Sequence, residues 1–113
     1  MLKLGRGHCS VSLTDDMGIE YKISCDPAKV HLFDEFLRRS PFFESYEPKY
    51  KRYELRFRGV PKTDDFPDAS VALEIDGINF CDNLTSKASA AMILRCIIDE
   101  ALRHSDKITI EER

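Results

Sequence analysis

Chemistry requires side chains that bind metal, move protons or attack, and this chain holds few of them at useful spacings. Its three histidines are His8, His31 and His104, and its four cysteines are Cys9, Cys25, Cys81 and Cys96. No CxxC, HExxH or HxH arrangement occurs, so no local spacing places two ligands on one metal. His8, Cys9 and Cys25 would approach one another across an N-terminal hairpin. Strand alternation, however, sends His8 and Cys9 to opposite sides, and tetrahedral zinc needs four ligands. No serine lies in a GxSxG elbow. Cys81 is the thiol best placed to react, because it falls on the face opposite Ile78 and Phe80; reactivity also needs exposure and nearby positive charge. Asp64, Asp65 and Asp68 sit in a proline-bearing loop and read as solvated turn residues, not as a rigidly spaced carboxylate pair. Gly5-Arg6-Gly7 lacks the following helix that makes a glycine loop hold phosphate. The expectation is no catalytic set, no metal, no cofactor and no enzyme.

The most uneven property is charge. Between Arg38 and Lys62, eight basic residues (Arg38, Arg39, Lys49, Lys51, Arg52, Arg56, Arg58 and Lys62) meet only Glu44, Glu47 and Glu54, a net of +5 in a chain whose total is −3. Lys49 to Arg58 reads as a strand. Alternation puts Arg52, Arg56 and Arg58 on one side and Tyr53, Leu55 and Phe57 on the other. Arg52, Arg56, Arg58, Lys49 and Lys51 are therefore the candidate partner-binding residues, since arginine forks fit carboxylate and phosphate alike. The competing reading is a solvated face whose arginines pair with acids on neighbouring strands.

The elements that would position these residues follow from periodicity. Cys9, Val11 and Leu13 alternate with polar residues, as do Tyr21, Ile23 and Cys25 beyond the Asp15–Gly18 turn. Pairing Leu13 with Tyr21, Val11 with Ile23 and Cys9 with Cys25 puts every apolar side chain on one face. Asp26 and Pro27 suit a helix start, and Val30, Phe33, Phe36 and Leu37 form its stripe until Ser40-Pro41 stops it. Residues 42–48 read as an aromatic connector. Asp76-Gly77 predicts a two-residue turn that pairs Ile75 with Ile78 and Leu73 with Phe80. A helix from about Thr85 to His104, capped by Thr85 or Asn83, carries a wide apolar arc that includes Met92, Cys96 and Leu102. Arg95, Asp99 and Arg103 are its polar seam. Ile108 and Ile110 suggest a short final edge strand.

The order is β-β-α-β-β-β-α with that terminal strand: an α+β fold, an antiparallel sheet with two helices packed on one face. At 113 residues, with 42% hydrophobic and 33% charged, the chain fits one folded domain spanning residues 1–113 and not a disordered one. No apolar run approaches the ~18 residues a membrane span needs. The N-terminus lacks the apolar core of a signal peptide, which points to the cytoplasm and to reduced thiols.

From Pro27 onward the order α-β-β-β-α resembles that of double-stranded-RNA-binding domains, and Ser86-Lys87-Ala88-Ser89-Ala90-Ala91 is similar to the start of that family's last helix. That family grips phosphates there with several lysines, whereas this chain has only Lys87. The leading expectation is a small non-enzymatic protein-binding module, such as an inhibitor, an immunity protein or a chaperone-like protein, whose partner presents an acidic surface. The alternative is RNA or DNA binding through the basic strand face. The sequence leaves a homodimer open and implies no membrane partner.

Overall fold

Alternating strands joined by tight turns close into one antiparallel sheet. The structure, a computed structural model, describes residues 18–57 and 66–113. Six strands, β1 (Ile19–Ser24), β2 (Phe43–Glu47), β3 (Arg52–Leu55), β4 (Ala69–Glu74), β5 (Gly77–Asp82) and β6 (Thr109–Glu112), lie in the order β2-β3-β4-β5-β1-β6. Helices α1 (Leu32–Arg39) and α2 (Lys87–His104) cover one face. Phe33 and Leu37 of α1, and Ile93 and Ile97 of α2, join Ile23, Tyr53, Val71 and Phe80 of the sheet in a single core. The α+β class and the two helices on an antiparallel sheet are as the periodicity predicts. Among the described residues no helix is long and apolar enough to cross a membrane.

Several local expectations are corrected. Both edges of β1 are occupied: Tyr21 pairs with Phe80 and Glu112, and Ile23 with Ile78 and Ile110. A strand has only two edges, so Tyr21 and Ile23 cannot also take Leu13 and Val11 as partners. Cys9, Val11 and Leu13 lie outside the described residues. The inward face of β1 stands, with Ile23 fully buried and Tyr21 and Cys25 partly so. The first helix also does not run unbroken from Pro27. Asp26 caps a 3-10 turn over Pro27–Lys29, accepting from Ala28 N at 3.0 Å, and α1 starts only at Leu32.

Residues 43–47 form an edge strand where a connector was expected. A register shift between Phe43 and Ser45 puts Phe43 and Tyr46 on the same inward face although they are three residues apart. The bulge breaks the two-residue period and hides the strand from pattern reading. Four strands therefore separate the helices, and the α-β-β-β-α order of the RNA-binding domains does not hold. The basic strand is shorter than expected: Lys49–Lys51 belong to the turn into β3, where Lys51 takes a left-handed φ of 53° and donates its N–H to the Pro48 carbonyl at 3.3 Å.

The β4–β5 turn is displaced by one residue, which slips the strand pairing by two. Leu73 pairs with Ile78, Val71 with Phe80 and Glu74 with Gly77, so Ile75 and Asp76 make the turn and Ile75 is 87% exposed. A two-residue slip keeps every side chain on its face, so alternation cannot detect it. The neighbouring strand decides. A Cβ on Gly77 would collide with the Ile23 carbonyl, so the glycine serves β1's close approach and not a left-handed turn.

Helix α2 is capped by Ser86, whose side chain accepts from Ser89 N at 3.2 Å, and not by Thr85 or Asn83. Its buried stripe is narrower than expected. Ile93, Ile97 and Ala101 are fully buried, while Met92, Leu102 and Cys96 are exposed. The arc is clipped because one sheet face contacts only one side of a helix. Ile110 lies on edge strand β6, as the final alternation suggests.

Candidate functional site

Among the described residues no helix covers the opposite face of the sheet, and its relief follows from side-chain size. One row across the strands reads Arg52, Ala72, Asn79, Lys22; the next reads Glu54, Ser70, Cys81, Glu20. In these two rows the central strands β4 and β5 contribute the shorter side chains, while β3 and β1 contribute long ones. The result is a trough of about 690 Å³ whose lining includes Ser70, Ala72 and Cys81. Two aromatic side chains, Tyr50 (58% exposed) and Phe66 (69% exposed), also line it.

A buried polar latch holds the Phe66 end. Asp68 is 1% exposed. Its carboxylate accepts from Phe57 N–H at 2.8 Å and from the Thr85 hydroxyl at 2.6 Å. Asn83 donates to the Pro67 carbonyl at 3.0 Å and to Ser70 Oγ at 3.2 Å. Asp68 is thus no solvated turn residue: it ties the loop after β3 to the approach of α2. Asp64 and Asp65 lie outside the described residues. Beyond Asn83, Leu84 holds a left-handed φ of 62°, with its N–H bonded to the Asp82 carboxylate at 2.8 Å.

Ion pairs tie down the cations of the open face. Lys22, only 14% exposed, bridges Glu74 and Asp76, both at 2.7 Å. The hydrogen bond to Asp76, then that to Glu74, raises the Lys22 pKa, and Lys22 in turn lowers that of Asp76. Burial pushes the Glu74 carboxyl up, but Arg113 and Lys22 together hold it below its ordinary value. Arg113 reaches Glu74 at 2.9 Å and Asn79 at 2.7 Å. Register puts Glu20, Glu47, Glu54, Glu74 and Glu111 on this face, against Lys22 and Arg52, with Arg113 brought onto it by its bonds to Glu74 and Asn79. The face is net acidic.

Of the five expected binding residues, only Arg52 lines the trough, and it is bound to Glu54 at 2.9 Å. Arg56 is 16% exposed and pairs with Glu44 at 3.0 Å. Lys49 and Lys51 stand exposed in the β2–β3 turn, and the Lys49 ammonium lies 5.4 Å from the Tyr50 ring. Arg58 lies outside the described residues. Cys81 is on the open face, as its alternation with Phe80 requires. Sequence reading missed Tyr50, Phe66 and Glu20. Its available signal was Ser70 and Ala72, two small residues on the wet side of a strand whose other side carries Val71 and Leu73.

The chain matches no protein-family model, no curated protein and no solved structure.

Two further clusters lie on the helix side. Arg38 stacks 4.8 Å from the Tyr46 ring and 5.7 Å from that of Tyr53, whose hydroxyl donates to Asp34 at 2.6 Å. Burial, then that bond, raises the Tyr53 pKa, and the same bond, followed by that from Arg38, lowers that of Asp34. A groove of about 540 Å³ between the helices is lined by Phe36, Phe42 and Cys96, with His104 Nε2 2.9 Å from Glu100 Oε2 at its side. Among the described residues no group of three or more metal-ligating side chains converges. The open face can hold a partner through shape, aromatic contact and charge.

Proposed function

We propose that the protein is a non-enzymatic protein-binding module and that the trough on the open sheet face is its contact surface. The observation that carries this reading is the exposure of Tyr50 and Phe66 beside a concave floor whose flanking cations Lys22 and Arg52 are already bound to carboxylates of the same face. Exposed aromatics around a small-residue floor are the composition of an interface centre. A nucleic-acid surface would instead leave its cations available to phosphate. Inhibition, immunity and chaperoning are all roles that such a module could fill, and a cytoplasmic address remains part of the proposal.

The test is Ala72→Trp, which fills the trough floor with a residue that strands tolerate. The variant should keep its circular dichroism and lose its partner, while Met92→Ala, on the exposed side of α2, should bind like the parent. Undiminished binding by the folded Ala72→Trp protein would remove the trough from function.

A second reading, nucleic-acid binding, rests on Lys49 and Lys51 flanking exposed Tyr50, a cation-and-aromatic pairing suited to a single strand. It predicts affinity that falls steeply with salt and disappears in Lys49→Glu/Lys51→Glu.

A further inference from the structure

Resting on the protein-binding reading, we infer that the trough's occupant is an α-helix of the partner carrying lysine or arginine on the flank that meets Glu20. The backbone excludes an extended segment. Strands β4 and β5 have both edges paired within the sheet, so a chain laid across their open face gains no ladder bonds. It would also bring its own unpaired N–H and C=O groups into contact with a partly apolar floor. A helix arrives with those groups already satisfied.

Width favours the same occupant. The walls stand on β3 and β1, three strand spacings apart, or about 14 Å, and a helix with its side chains is about 10–12 Å across. Ser70, Ala72 and Cys81 give the floor the low relief a helix needs to settle between the walls.

Charge sets the flank. Lys22 and Arg52 are bound within the face, whereas Glu20 lines the trough and makes no ion pair among the described residues. Glu54 stands on the opposite wall, and the face as a whole is acidic. A cation on the incoming helix gains Glu20, on which Arg113 acts only through space, without breaking an ion pair, and an anion there meets a face that is net acidic.

The experiment titrates full-length protein with three synthetic peptides of about 18 residues, long enough to run the trough at 1.5 Å per residue. One is an amphipathic helix with a lysine flank, one carries glutamate on that flank, and one is the lysine peptide interrupted by proline. Backbone amide resonances of Ser70, Ala72, Asn79 and Cys81 report binding. The lysine helix should shift them; Glu20→Lys should weaken it about tenfold and favour the glutamate peptide instead. Equal binding of the proline-interrupted peptide, indifference to charge, or shifts confined to the α1–α2 groove would each overturn the inference. If a native partner is lost in Ala72→Trp yet docks a non-helical segment, the helix inference falls and the protein-binding reading stands. If the partner ignores Ala72→Trp, both fall.

Discussion

Asp68→Ala tests the latch that supports the Phe66 end of the trough. The Asp68 carboxylate is 1% exposed and accepts from Phe57 N–H at 2.8 Å and Thr85 Oγ1 at 2.6 Å. Truncation leaves at least these two partly buried donors without that acceptor. Each such donor costs about 1–3 kcal/mol, and the loss of the carboxylate's own desolvation penalty offsets part of the sum. A net destabilisation of about 2–3 kcal/mol is expected, a large share of the ~5–15 kcal/mol a domain of this kind has. In urea denaturation followed by circular dichroism, the midpoint should fall by about 1–2 M at unchanged slope. Thr85→Val should cost about 1 kcal/mol, since it leaves the Phe57 bond in place, and the two changes should be non-additive because they share one bond. Hydrogen exchange at Phe57 should accelerate in both variants, more in Asp68→Ala. An Asp68→Ala unfolding free energy within about 0.5 kcal/mol of the parent's would refute the latch and the claim that it positions Phe66.

Ile97→Ala, at a fully buried position of α2, should cost about 2–5 kcal/mol, whereas Met92→Ala on the same helix should stay within about 0.5 kcal/mol by thermal or urea melting. Arg56→Glu should destabilise the fold by about 1–2 kcal/mol, because it sets a second carboxylate against Glu44 where a 3.0 Å ion pair now stands; a neutral result would mean the pair is idle. Asp34 is held below its ordinary pKa by the Tyr53 hydroxyl and then by Arg38, so its contribution is present above about pH 4 and is lost as pH falls further. Tyr53→Phe should flatten that acid limb of the stability profile. Gly77→Ala should lower the melting temperature, because its methyl meets the Ile23 carbonyl, while Asp76→Ala at the neighbouring turn should act only through the loss of the Lys22 bridge.

Much of the fold was legible because burial writes itself into a chain as periodicity. The inward residues of β1, β3, β4 and β5 alternate as two-sided strands must. Phe33 and Leu37 recur at helical spacing, and Ile93, Ile97 and Ala101 do so again. Composition and these periods were enough to specify an α+β fold with an antiparallel sheet and two helices on one face. What escaped were the features to which alternation is blind. The bulge between Phe43 and Ser45 disguised an edge strand. A slip of two residues moved the β4–β5 turn without moving any side chain to the other face. The partner of a strand edge is set by three-dimensional competition, which β6 won at Ile23 although it arrives from the far end of the chain. The candidate site fared similarly. Arg52, Arg56, Lys49 and Lys51 were visible as charge, but whether an arginine is available depends on which acids stand within reach. Glu54 meets Arg52 from two residues along the same strand, whereas Glu44 is brought to Arg56 by the pairing of β2 with β3, and Glu20 is left without an ion pair among the described residues. Local sequence decides which way a side chain points; tertiary structure decides what it meets, because that depends on residues far away along the chain.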